Sequence, residues 1–204
     1  MRLNRYIAKQ LASPEGFGGK VVSFFMNRKN RPMYAETIRR LALASSDSVL
    51  DIGCGNGYVL NMMAREHDGT FTGIDLSASM IQAAVHRNRL FVNNGKMKFV
   101  CQDLRDLSFA DGFFSKVYTI NTVYFWDDLE SVMAEVSRIL KPNGVFVNTL
   151  YSNDTLDRYA HTQFGYKRFT QEKLIDAGTN AGFAVSAVPI IDGAAYCYVY
   201  LKTH

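Results

Sequence analysis

From residue 48 onward, short apolar runs alternate with segments whose apolar residues recur every three to four positions. Runs of four to eight apolar residues bounded by turn signals predict strands, and the longer periodic segments predict helices. The strands fall at 48–52, 71–75, 97–101, 113–121 and 145–150. The helices fall at 57–66, 77–88, 128–140 and 170–181. The clearest of these helices is 128–140, with Leu129, Val132, Met133, Val136, Ile139 and Leu140 on one face and Lys141-Pro142-Asn143-Gly144 as its stop. Ser77 and Thr170 suit N-caps, and Gly182 follows the end of the last helix. Two closing apolar runs, 183–190 and 194–202, meet through Ile191-Asp192-Gly193, a hairpin signal. Strands alternating with helices predict an α/β fold: a Rossmann-like, doubly wound sheet, mostly parallel, with helices on both faces and an antiparallel last strand.

The leading segment reads differently. Leu3, Tyr6, Ile7 and Leu11 keep helical spacing until Ser13-Pro14-Glu15-Gly16-Phe17-Gly18-Gly19 interrupts them. A short helix over 20–26 and a third over 32–44, with Pro32 in its first turn and Tyr34, Ile38 and Leu41 on one face, complete it. The expected organisation is an N-terminal helical lid or substrate segment, 1–45, followed by one globular unit, 46–204.

The chain has 204 residues, 48% of them hydrophobic and 21% charged, enough apolar material for a core. No apolar run approaches the roughly 20 residues of a membrane span. Residues 1–7 lack the apolar stretch of a secretory signal. Cys54, Cys101 and Cys197 stand far apart, outside metal-type spacing, which fits a reducing cytoplasm and predicts no metal site. The net charge of +4 is uneven. Residues 1–40 carry nine Lys/Arg against Glu15 and Glu36, and the rest carries 14 basic against 17 acidic residues. A basic leader of this kind is either a solvated helix face or a surface for anionic partners.

The candidate chemistry begins at Val49-Leu50-Asp51-Ile52-Gly53-Cys54-Gly55-Asn56-Gly57, where a strand runs through a glycine-rich turn into a helix. Such glycines let the backbone turn tightly and approach a ligand. A dinucleotide fingerprint starting at Gly53 would need a glycine where Tyr58 stands, and no Lys follows in triphosphate-loop spacing. Asp75 closes the next strand in Gly73-Ile74-Asp75-Leu76, where a carboxylate can accept from both ribose hydroxyls of an adenosyl group. Gln102-Asp103-Leu104 closes the third strand. An acid there can accept from an exocyclic adenine amine, with Leu104 beside the ring.

Together these residues resemble the class I S-adenosylmethionine (SAM)-dependent methyltransferases. Asp51-x-Gly53-x-Gly55-x-Gly57 is similar to the first motif of that family, Asp75 to its ribose-binding acid, and Gln102-Asp103 to its adenine-contacting pair. Arg138-Ile139-Leu140-Lys141-Pro142-Asn143-Gly144 resembles the stretch before the fifth strand, with Asn143 in place of a glycine. The resemblance covers about residues 45–150, and is nearest the ubiquinone/menaquinone-biosynthesis-like (methyltransferase type 11) group. It implies a seven-stranded sheet, SAM as cofactor and S-adenosylhomocysteine as product. It places Gly53, Cys54, Gly55, Asn56 and Gly57 near the methionine part and has Asp51 organise the turn and receive the ammonium. Met80 would lie against the adenine, Leu76 would be among the cofactor-binding residues, and Asn121 and Thr122 would flank the methionine moiety.

The residues after the fourth strand bear on the acceptor. Asn121-Thr122-Val123-Tyr124 is not the Asn/Asp-Pro-Pro-aromatic motif of amino-directed nucleic-acid methyltransferases, and none of the cysteines follows a proline, as cytosine C5 chemistry would need. Asn121 also stands where a catechol-type magnesium site would have a carboxylate. These absences favour a small-molecule acceptor over nucleic acid. Tyr124-Phe125-Trp126 at the mouth, Phe17, Met26, Asn27 and Asn30 in the leader, and Tyr151 are the candidate acceptor walls. No side chain stands out as a general base, and His161 lies in a loop. An RNA or protein methyltransferase docking through the basic leader, and a non-catalytic SAM-binding sensor, remain open alternatives. A nicotinamide enzyme is disfavoured by Tyr58.

Overall fold

The computed structural model describes residues 28–203. Phe17, Met26 and Asn27, with the first two leader helices, lie outside the described residues. The first described helix, α1 (Arg31–Leu41), carries Pro32 in its first turn and ends with Ala42 in a left-handed conformation. Then follow β1 (Ser48–Ile52), α2 (Tyr58–Glu66), β2 (Thr70–Asp75), α3 (Ala78–Arg87), α4 (Arg89–Asn93), β3 (Met97–Cys101) and β4 (Phe114–Ile120). A 3-10 turn (Val123–Phe125), α5 (Leu129–Ile139), β5 (Leu140–Tyr151), α6 (Asn153–Asp157), a second 3-10 turn (Ala160–Gln163), α7 (Gln171–Asn180), β6 (Phe183–Ile190) and β7 (Ala195–Lys202) complete the order. The two caps read from the sequence, Ser77 and Thr170, are made, and Asp128 is a third: each accepts a backbone N–H from the first turn of the following helix.

The sheet has seven strands in the order β3-β2-β1-β4-β5-β7-β6. The pairings from β3 through β5 are parallel, and β7 is antiparallel to both β5 and β6. The order in which strands are added reverses between the parallel neighbours β1 and β4, which opens a crevice at their carboxyl ends. Both faces are covered. On one, Val132, Met133 and Val136 of α5 and Leu174 and Ala177 of α7 pack with Leu50, Val117, Phe146 and Tyr200. On the other, Tyr34 and Leu41 of α1 and Leu60 and Met63 of α2 pack with Val49, Phe71, Tyr118 and Val147. Neighbours such as Val49 and Leu50 therefore serve opposite cores, which is why these strands read as continuous apolar runs. Helix α1 joins this packing, and its buried Thr37 hydroxyl hydrogen-bonds Thr149 of β5 at 2.7 Å.

Strand β5 begins five residues earlier than the expected 145. Leu140 already pairs with Phe114, and the register then shifts so that Lys116 faces Val145. Residues 141–144 form the irregularity, with Asn143 at a φ of 61°. The Pro-Asn-Gly run does stop the helix, and it does so as an excursion within the strand. Helices α4 and α6 were not expected, being only five residues each, too short to show a period. Among the described residues no helix is long and apolar enough to cross a membrane.

Phe146 is fully buried and stacks on Tyr200 with ring centroids 5.1 Å apart. Phe146→Ala is expected to lower the unfolding free energy by about 3–5 kcal/mol in urea denaturation. A loss below about 1 kcal/mol would show that this face is not the packed core described.

Candidate functional site

The turn after β1 is built from backbone hydrogen bonds. Gly53 and Cys54 both donate their N–H to the carbonyl of Ile74 at 2.9 Å, and Gly57 donates to Cys54 at 3.0 Å. Gly53, Gly55 and Gly57 all have left-handed φ values, 74°, 52° and 67°. A Cβ at Gly53 would collide with the Thr122 methyl, whereas a Cβ at Gly55 would meet nothing within 4 Å. Gly53 is thus needed for close approach to the β4 end, and Gly55 presents bare backbone to open space. Gly57 differs from the expectation. It is the residue before α2, and a Cβ there would come within 2.6 Å of Asn88 Nδ2 and 2.8 Å of Phe99. Its role is packing behind the turn, and it does not line the cavity.

Asp75 closes the other side. Its Oδ2 accepts the Gly55 N–H at 2.9 Å and its Oδ1 accepts the Ser77 N–H at 2.8 Å. Burial raises its pKa, and these two donors oppose the shift. Asp51 lies deeper, only 4% exposed. The Tyr118 hydroxyl donates to Asp51 Oδ2 at 2.7 Å from the directly paired position on β4. Burial pushes Asp51 up to about 8, with the Tyr118 donor lowering it and the charge of Asp75 raising it. Burial, then Asp51 and Asp75, hold the Cys54 thiol well above its usual range, so it is no thiolate.

Between these groups lies a cavity of about 230 Å³. Of the residues expected to bind cofactor, Asp51, Gly53, Cys54, Gly55, Asn56, Asp75, Leu76, Met80, Gln102, Leu104, Asn121 and Thr122 line it. Asp103 does not. Its carboxylate is held by the Arg105 guanidinium at 2.6 Å and by the Arg105 backbone N–H at 2.9 Å. That pairing keeps its pKa below the usual carboxylate range. Successive residues leaving a strand point to opposite sides, so Gln102 and Leu104 face the cavity while Asp103 turns to Arg105.

Asn121, just beyond β4, has a φ of 60°. Its side chain is held from two sides, donating to Met33 Sδ at 3.5 Å and accepting from the Tyr124 hydroxyl at 3.1 Å. Thr122 and Thr119 share a short hydroxyl contact, and Thr119 donates to the Ile52 carbonyl at 2.8 Å. The aromatic run divides: Phe125 and Trp126 line the cavity, but Tyr124 is packed beneath them. Its hydroxyl accepts the Tyr151 N–H at 2.6 Å. Tyr151 also stays off the wall, yet its hydroxyl donates to Asn30 Oδ1 at 2.8 Å, and Asn30 does line the cavity. His161 sits outside, beside Tyr159 and Tyr166. Burial lowers its pKa.

Three tyrosines not expected in the site line it: Tyr34, Tyr58 and Tyr118. Tyr34 and Tyr58 meet with centroids 5.9 Å apart. Tyr34 and Tyr118 read as apolar positions in a helix and a strand, and Tyr58 stands out in the sequence only as the break in a dinucleotide fingerprint, not as a wall residue. Among the described residues, the lining holds two carboxylates and no Lys, Arg or His.

Residues 50–148 match the family described as "Methyltransferase domain". An O-methyltransferase of Pyrenophora dematioidea is 30% identical over 110 residues, which is 54% of this chain and 41% of that protein. The chain therefore spans less than half the length of that relative. A chain of the complex between the Haloferax volcanii Trm112 methyltransferase activator and a methyltransferase superposes with a TM-score of 0.78 at 21% identity, covering 88% of this chain and 92% of that one. Geranyl diphosphate C-methyltransferase of Streptomyces coelicolor A3(2), solved with Mg2+, geranyl diphosphate and S-adenosylhomocysteine, superposes with a TM-score of 0.71 at 16% identity, covering 84% and 76%.

Gly53→Ala adds a methyl group at a left-handed φ and against Thr122. It is expected to cost more than about 1 kcal/mol of stability. Gly55→Ala should cost less in packing, since its Cβ meets open space. Paired thermal melts check this, and equal losses would contradict the geometry of the turn.

Proposed function

We propose that this chain, whose residues 50–148 form a class I methyltransferase domain, transfers a methyl group from SAM to a small-molecule acceptor. The observation that carries the reading is the pair of carboxylates at two depths of one cavity. Asp75 is held in place by two backbone N–H groups, and Asp51 lies deeper against Tyr118.

The residues fit an adenosyl cofactor. Each Asp75 oxygen keeps acceptor capacity for ribose hydroxyls beyond its backbone donor. Leu76, Met80 and Leu104 supply apolar contact for a flat base, and Gln102 supplies a polar edge. Gly53, Cys54, Gly55, Asn56, Asn121 and Thr122 would flank the methionine part, with Asp51 toward its ammonium. When bound, SAM supplies a methyl group already activated by a sulfonium.

What remains for the protein is to bind, orient and keep water out. Holding two reactants in attack geometry can supply on the order of 7–11 kcal/mol of the barrier. Asn121, fixed by Met33 and Tyr124, is a rigid point beside that geometry. The faces of Tyr34, Tyr58, Phe125 and Trp126 can attract a cationic sulfonium and can wall an apolar or flat acceptor. With no cation among the described lining residues, this wall favours an uncharged acceptor over a phosphate or carboxylate. Burial raises the Tyr34 pKa, so its phenol keeps its proton near neutrality and is no general base. The Pyrenophora relative is named an O-methyltransferase, which agrees with methyl transfer as the reaction.

The test supplies SAM labelled in the methyl group together with separate fractions of metabolites, RNA and protein. Label should enter the metabolite fraction, and Asp75→Ala should reduce it by about a hundredfold or more, as expected when a buried acceptor of two hydrogen bonds is removed. Label confined to RNA or protein, or no transfer by well-folded protein, would overturn the reading.

A further inference from the structure

Asp51 stands out among the groups facing the cavity. Its carboxylate is withdrawn from water and, among the described residues, its hydrogen-bond donor is the Tyr118 hydroxyl at 2.7 Å. The titratable groups that face it are Tyr118 from β4, Asp75 from the end of β2, Cys54 from the glycine turn and Tyr34 from α1. All are neutral or anionic when charged at all. No Lys, Arg or His among the described lining residues balances a charge on Asp51. A buried carboxylate with a carboxylate neighbour and one phenol donor favours its neutral form. Burial and Asp75 accordingly push it up to about 8, against the opposing pull of Tyr118.

We propose that Asp51 and Tyr118 form a proton-release pair, in which Asp51 gives up its proton to solvent as a ligand's ammonium settles beside it, and Tyr118 is the positioning residue that holds the resulting carboxylate. The balance is simple. The carboxyl O–H bond breaks, its proton leaves to bulk water, and the ammonium keeps all of its own protons. The incoming cation supplies what the described lining residues lack, a positive partner for the buried carboxyl group. Binding is then coupled to pH even though the ligand keeps the same charge. The proposal rests on the adenosyl-cofactor reading above, and it adds that Asp51 is a neutral acid, not a preformed anion, until the ligand's ammonium reaches it.

The experiment is calorimetric titration with S-adenosylhomocysteine from about pH 6 to about pH 7.5, below the usual α-amino range, in two buffers of different ionisation enthalpy. Wild type should release close to one proton at the acid end. Its affinity should rise by up to about tenfold per pH unit, as linkage requires for one proton released. Asp51→Asn should release none and bind with a flat profile. Tyr118→Phe removes the donor that lowers the Asp51 pKa, so its rise in affinity should stay steep to the upper end of the range. It should bind more weakly near neutrality and still release close to one proton at about pH 7.5, where wild type already releases fewer. A merely structural role for Tyr118 would lower affinity and leave the number of protons released at each pH as in wild type.

Binding without proton release, or a Tyr118→Phe profile superposable on wild type, would overturn the proposal while leaving the cofactor reading intact. No binding at any pH would instead sink the cofactor reading. A ligand-free arm then still decides the state of Asp51. A carboxyl whose folded pKa is raised stabilises fully below its unfolded pKa and loses that contribution as pH rises toward the folded one. Asp51→Asn should therefore gain on wild type in melting temperature between about pH 4 and about pH 8. A constant difference across that window would contradict a protonated Asp51.

Discussion

The carboxylate of Asp75 ties together the three segments on which the site depends. It closes β2, accepts the Gly55 N–H of the turn after β1, and accepts the Ser77 N–H at the start of α3. One residue earlier, the Ile74 carbonyl takes both Gly53 and Cys54. Four backbone N–H groups are thereby satisfied by two consecutive residues of β2, the strand beside β1. Buried backbone donors must find partners, and here they find them in an arrangement that leaves the inner surface of the turn bare. The left-handed glycines follow from this, as does the closeness of Gly53 to Thr122. The cavity is the space that remains.

The same arrangement makes the site electrostatically one-sided. Two carboxylates sit in apolar and aromatic surroundings, and the described walls carry no cation. Burying such groups costs free energy unless they are paired, hydrogen-bonded or neutral. Asp75 is hydrogen-bonded by backbone, and Asp51 has Tyr118 and a raised pKa. A cavity of this sign is matched to a ligand that brings positive charge, as SAM does at both its sulfonium and its ammonium. Among the described residues, the proposed binding of a cationic cofactor and the proposed proton release both rest on that one imbalance.

Much of this could be read from residues alone, because the signals are local. The short apolar runs, the glycine turn, the Asp75 strand end, the Asp-Gly hairpin and the caps at Ser77 and Thr170 each occupy a few consecutive positions. The misses are those that depend on register and packing. Tyr118 enters the site because β4 pairs with β1 so that it lies beside Asp51. Tyr34 enters because α1 packs on the sheet face that carries the turn. Asp103 leaves it because Arg105 captures its carboxylate. Tyr124 and its neighbours Phe125 and Trp126 look alike in sequence, and only the 3-10 turn decides that Tyr124 goes under and the other two go in. The β5 start moved because an irregular register tolerates Pro142 and Asn143 between paired residues.

The most direct measurement is a crystal structure of the protein with S-adenosylhomocysteine bound. The account predicts ribose hydroxyls on Asp75, the adenine between Leu76, Met80 and Leu104, and the amino group directed to Asp51. A molecule bound elsewhere, or seated in reverse with its adenine at Asp51, would contradict it.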